Sequence, residues 1–275
     1  MAQSLRSPGV RASRSFSLGL GYVVLVLLAT AVLAWGARGG STLFGVAAQA
    51  APLLVALPLA LVGGRRVRGW LALRPRGRPA VYGAALLVPA LIVVLAYLAA
   101  LAPGCASLRA GFVPQTVGLR LAVLSLLPGV WLPTLLFAFA EEIGWRGLLY
   151  GAWREALGAR GAALAVSASW FVFHLPFVLW LGYFQDGFLA VRLILFAVTL
   201  VGMGLFAAWT RERTGSVWPA VLFHTASNVV WGIWGATFTL TTPGTLLSGE
   251  AGVVNALLWT AVGVWAWRRL EQERG

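Results

Sequence analysis

The chain has 275 residues, 60% of them hydrophobic and 11% charged, with a mean hydropathy of +0.85. Soluble domains carry about 25% charge, so soluble hydrolases, nucleotide-binding α/β domains and disordered tails are excluded, and the composition is that of an integral membrane protein. The net charge of +13 rests on arginine alone, 21 residues with no lysine; in a membrane protein such charge gathers in cytoplasmic loops and does not call for a nucleic-acid partner.

A membrane-crossing helix needs roughly 20 mainly apolar residues, and eight stretches qualify in chain order. The first, Ser17–Gly36, is long for a signal peptide and runs on past its one Ala-x-Ala triplet at Ala29, so it reads as an anchor. Thr42–Val62, Ala80–Ala102 and Leu121–Glu142 follow. Tyr150–Arg160 carries Arg154, Glu155 and Arg160 and reads as an amphipathic helix along the interface, ahead of a fifth span at Ala162–Leu181. Phe188–Trp209, Val217–Phe238 and Gly252–Trp267 complete the set. With eight spans, all arginines except Arg38, Arg109, Arg120 and Arg192 fall on the side of the two termini, which the positive-inside rule makes cytoplasmic. The expected architecture is an all-α polytopic bundle, a single transmembrane domain over residues 1–275. The basic cluster Arg65–Arg78 is expected against anionic head groups, and Pro103–Gln115 and Thr239–Glu250 as connections between spans. One cysteine, Cys105, leaves no intramolecular disulfide.

Carboxylates inside spans are costly and imply a partner or a function. Of the eight acids, Glu155, Asp186, Glu212, Glu250, Glu271 and Glu273 fall in loops or at ends, whereas Glu141 and Glu142 close the fourth span. Glu142 and Arg146, four apart, share a helix face, and Glu141 is rotated about 100° away. One ion pair and one free carboxylate are therefore expected, the second suited to general-base work. The only histidines, His174 and His224, lie in the fifth and seventh spans; Trp170 stands four residues before the first and Asn228 four after the second. Polar groups so few, on separate spans, are most economically satisfied by meeting in one cavity.

Several hydrolytic designs fail on this inventory. Asp186 is the only aspartate, neither histidine has the H-E-x-x-H spacing, and no Gly-x-Ser-Gly context exists for a serine nucleophile. A glutamate-centred site is left. Glu141-Glu142-x-x-x-Arg146, Trp170-x-x-x-His174 and His224-x-x-x-Asn228, in that order, resemble the three motifs of the CPBP family (CAAX protease and bacteriocin-processing), over a core of residues 121–234. The tryptophan at 170 departs from the usual phenylalanine and is expected to alter pocket shape more than chemistry.

The resemblance implies an intramembrane endopeptidase similar to CAAX prenyl endopeptidases. Glu141 would activate water with help from His174, His224 and Asn228 would hold the oxyanion, and Glu142, Arg146 and Trp170 would support them. Family members are often labelled metalloproteases, and Glu141, His174 and His224 could supply three ligands to Zn2+; a metal-free glutamate mechanism fits the inventory equally well. The partners expected are a peptide or membrane-protein substrate and the lipid bilayer. An all-arginine, tryptophan-rich chain looks bacterial, which implies the inner membrane and, by resemblance, bacteriocin processing. The alternative is a non-catalytic membrane scaffold or bacteriocin-immunity protein; a proton-coupled transporter is disfavoured because no inverted repeat is visible.

Overall fold

The computed structural model describes residues 8–109, 116–184 and 187–271. It is an all-α membrane bundle. Helices α1 (Pro8–Ala37), α2 (Thr42–Val62), α3 (Gly64–Trp70) and α4 (Pro79–Leu101) are followed by a short strand β1 (Ala106–Leu108), then α5 (Val117–Leu126) and α6 (Pro128–Glu142). A π-helical segment, Ile143–Leu149, joins α6 to α7 (Tyr150–Leu181), and α8 (Leu189–Thr214), α9 (Trp218–Thr237), β2 (Phe238–Leu240), α10 (Thr242–Ser248) and α11 (Val253–Glu271) complete the chain.

Local chemistry accounts for the boundaries. The Ser41 side chain accepts the Phe44 N–H at the start of α2, and Pro79, Pro128 and Pro219 occupy first-turn positions of α4, α6 and α9, where a missing N–H costs nothing. Leu127 is extended because a residue before proline is pushed out of the helical region, and this splits the expected fourth span into α5 and α6. Gly182 and Gly215 close α7 and α8 in the left-handed conformation. Within α7, Gly158 breaks the helix at φ 72° and ψ 175°, so the amphipathic segment from Tyr150 and the apolar segment that follows are separate helices, as expected from the sequence.

Among the described residues, six helical stretches are long and apolar enough to cross a membrane. One of them, Pro128–Leu181, is 54 residues long, about 80 Å at 1.5 Å per residue, far more than a hydrocarbon core of about 30 Å. The π-helical segment and the Gly158 break divide it. Leucine and valine side chains face outward along the bundle, among them Val32 at 70% exposure and Leu87 at 70%; such a surface is stable against lipid, not water.

Packing centres on α7. It lies against α1 and α8, α8 pairs with α11, α9 with α4, and α6 fits between α2 and α9. Three glycines let the π-helical region approach its neighbours: a Cβ on Gly144 would collide with the Tyr22 hydroxyl and Pro52, one on Gly147 would sit 3.3 Å from Leu71, and one on Gly151 would meet Trp70 at 2.5 Å. Polar contacts pin the same end. Glu155 accepts from Ser15 Oγ at 2.8 Å, from Trp70 Nε1 at 2.9 Å and from Arg66, while Arg154 makes a bidentate pair with Glu212 at 2.5 and 2.7 Å. Arg66, expected against head groups, thus ties α3 to α7.

The connections at the far end are more ordered than the sequence suggests. β1 and β2 pair antiparallel with Ser107 opposite Thr239, and α10 follows directly. Buried Arg192 holds α10 by donating to the Thr245 hydroxyl at 2.6 Å. The expected Asp186 connection and the remainder of the 103–115 loop, residues 110–115, lie outside the described residues.

Candidate active site

Glu141 and Glu142 end α6 and are both buried, at 8% and 0% exposure. Their environments differ as the helical spacing requires. Glu142 Oε1 accepts from Arg146 Nη1 at 2.8 Å and lies 3.0 Å from His224 Nδ1. The guanidinium of Arg146, itself buried, stacks 4.3 Å from the Trp170 ring centroid. Glu141 has no arginine partner among the described residues. Its Oε2 accepts the Trp170 indole N–H at 2.8 Å.

That contact corrects the expectation for position 170. Tryptophan there does more than preserve an aromatic wall, since its N–H gives Glu141 a hydrogen bond that phenylalanine cannot make.

Each histidine has one committed nitrogen. His174 Nδ1 lies 2.7 Å from the Trp170 carbonyl oxygen; a carbonyl only accepts, so Nδ1 carries the proton and Nε2 the lone pair. His224 Nδ1 faces Glu142 by the same logic, leaving its Nε2 available. The His174 ring is boxed edge-on by Phe173 and Phe196 at centroid distances of 5.2 Å.

The π-helical turn after Glu142 shifts the backbone register, and its freed carbonyls need donors. Arg211, from the end of α8, donates Nε–H to the Arg146 carbonyl at 3.2 Å and reaches the Trp70 carbonyl at 3.3 Å. In the sequence Arg211 stands just past the apolar run ending at Trp209, with no local signal of this role.

All four polar residues singled out by their motifs, Glu141, His174, His224 and Asn228, line one cavity of about 300 Å³, together with Trp170. Four further polar residues share its wall: Gln49, Thr134, Tyr183 and Glu250. Tyr183, 43% exposed, donates its hydroxyl to Glu250 Oε2 at 2.7 Å. No spacing rule connects these residues to the three motifs. Their only signal in sequence was an acid just before the last apolar run.

Glu141, His174 and His224, considered as zinc ligands, do not form a ligand set as arranged. Among the described residues no three His, Cys, Asp or Glu side chains are grouped so as to hold one ion. Both Nδ1 atoms and one Glu141 oxygen are directed at protein partners, while the two Nε2 atoms and the other Glu141 oxygen remain open to the cavity's contents.

Residues 123–230 match the family model described as type II CAAX prenyl endopeptidase Rce1-like. The match contains the glutamate pair, Trp170, both histidines and Asn228. No curated protein matches the chain. Over that segment, whose three motifs each contribute to one cavity, the chain is similar to the Rce1-like type II CAAX prenyl endopeptidases, members of the CPBP family of intramembrane proteases.

Proposed function

We propose that the protein hydrolyses a peptide bond inside the membrane with water activated by Glu141. The observation that carries this reading is the unpaired, buried Glu141 carboxylate, held by Trp170 on the wall of a cavity that also presents His174, His224 and Asn228. A water between Glu141 and the His174 Nε2 lone pair gives its proton to Glu141 as its oxygen bonds to the scissile carbonyl carbon. The carbonyl electrons move onto oxygen, where a doubly protonated His224 and the Asn228 amide donate hydrogen bonds. Glu142 is the counter-ion such a histidine needs, at 3.0 Å from Nδ1. When the intermediate collapses, the C–N bond breaks and the leaving nitrogen takes the proton from Glu141.

The substrate in this reading is a peptide or membrane-protein segment that reaches the cavity from the bilayer. The protein is read as an eight-span chain in the inner membrane of a bacterium with both termini cytoplasmic, a reading supported by the arginine distribution. No step in this reading runs through a metal, since among the described residues no three His, Cys, Asp or Glu side chains are grouped so as to hold one ion. The intact motifs argue for catalysis over a scaffold or immunity role.

The test is turnover of quenched fluorescent peptides, with and without a lipid anchor, by the purified full chain before and after chelation. Cleavage that survives chelation supports the reading. Cleavage abolished by chelation and restored by zinc alone would replace it with a metal mechanism, and absence of any cleavage by folded protein would favour the scaffold.

A further inference from the structure

Five carboxylates have described side chains, and their counter-ions fall into two groups. Glu142 is paired with Arg146, Glu155 with Arg66 and Glu212 with Arg154. Glu141 and Glu250 have no arginine partner among the described residues. Both line the same cavity, and no arginine lines it with them. In a chain with 21 arginines and 8 acids, two carboxylates without an arginine partner on one cavity are a marked exception.

Glu141 already has a task in hydrolysis, whereas Glu250 has none. It enters the cavity from the turn between α10 and α11, with one oxygen taken by the Tyr183 hydroxyl and no side-chain donor on the other among the described residues. Aromatic rings surround the space in front of it, with Phe177, Phe196 and Tyr183 on the wall. An acid at the end of an aromatic-lined cavity matches one chemical class of occupant, a cation on an apolar stem, attracted by the carboxylate and by the ring faces together. Glu250 and Tyr183 also border a second cavity of about 480 Å³, lined in addition by Tyr97, Arg192, Trp231 and Leu240, so the chain carrying the cation has room to continue past them.

We propose that Glu250, oriented by Tyr183, is a specificity subsite that binds an ammonium or guanidinium group of the substrate. The proposal rests on reading this cavity as the substrate site, but it is testable without turnover. The probe is dansylcadaverine, a fluorophore on a five-carbon amine, compared with its uncharged N-acetyl analogue in fluorescence titrations of the detergent-solubilised full chain. Wild-type protein should bind the amine about tenfold tighter than the acetyl analogue, as expected for a desolvated cation beside a carboxylate and aromatic faces. In Glu250→Gln the two affinities should converge to within about twofold, as that attraction is removed. Tyr183→Phe, which keeps the carboxylate, should retain a preference for the amine. Equal affinities in the wild type, or an undiminished preference in Glu250→Gln, would overturn the proposal; the wild-type comparison decides even if that variant fails to fold. A retained amine preference in protein that cleaves no peptide would leave the subsite standing and remove the protease reading alone.

Discussion

Trp170 donates its indole N–H to Glu141 Oε2 at 2.8 Å while its ring face lies 4.3 Å from the guanidinium of Arg146. One side chain thus touches the free carboxylate and the cation that neutralises its neighbour. Trp170→Phe keeps a ring against Arg146 and removes the donor. A hydrogen bond to a charged group contributes about 1.5–3 kcal/mol, so kcat/KM should fall roughly ten- to hundredfold with folding intact. Steady-state kinetics beside a detergent melting curve measure both, and full activity in the variant would show that the contact does not position Glu141.

Arg146 and Glu142 are a buried pair, at 1% and 0% exposure. Arg146→Ala leaves Glu142 with only His224 beside it, and stranding a buried charge costs about 3–5 kcal/mol. The variant should melt well below wild type, whereas Glu141→Gln, which breaks no ion pair, should melt close to it. Equal destabilisation by the two would contradict the division between a supporting and a reactive glutamate.

Gly144 is fixed by the helices it meets. A Cβ there would overlap the Tyr22 hydroxyl, which donates to the Pro52 carbonyl at 3.0 Å, and would lie 2.7 Å from Pro52 Cβ. Gly144→Ala should cost about 1–3 kcal/mol through overpacking. Adding Tyr22→Phe removes the nearest atom and should recover part of the loss, which a double-mutant melting cycle would detect as positive coupling.

The proposed orientation puts the β1–β2 end of the bundle outside the cell. In a Cys105→Ser background, Ser107→Cys should react with a membrane-impermeant maleimide in intact cells, and Arg76→Cys only after permeabilisation; both positions are exposed. The reverse pattern would invert the topology.

Much of this arrangement is written locally in the chain. α2 has the limits that hydropathy alone predicts, and α4, α8, α9 and α11 begin within one residue of expectation, because apolar length and proline or glycine at the ends set them. The Glu142–Arg146 pair follows from spacing, and the meeting of Glu141, His174, His224 and Asn228 on one cavity follows from the cost of burying each alone. Other features depend on tertiary contacts. The π-helical turn is held by glycine packing against Tyr22, Pro52 and Trp70 and by Arg211 from a distant helix. The β1–β2 pair joins three-residue segments more than a hundred positions apart, too short for any periodic signal. Tyr183 and Glu250 are 67 residues apart and became cavity residues only through the packing of α7, α8 and α10.

The central claim is that Glu141 activates the water that cleaves the peptide bond. Its most direct test is single-turnover cleavage of a lipid-anchored quenched peptide by wild-type protein and by Glu141→Gln at matched concentration and matched melting temperature. Loss of a positioned general base costs about 10²–10⁴-fold, so the variant should cleave at least a hundredfold more slowly while binding the peptide as before. Cleavage by Glu141→Gln within a few-fold of wild type would contradict the account.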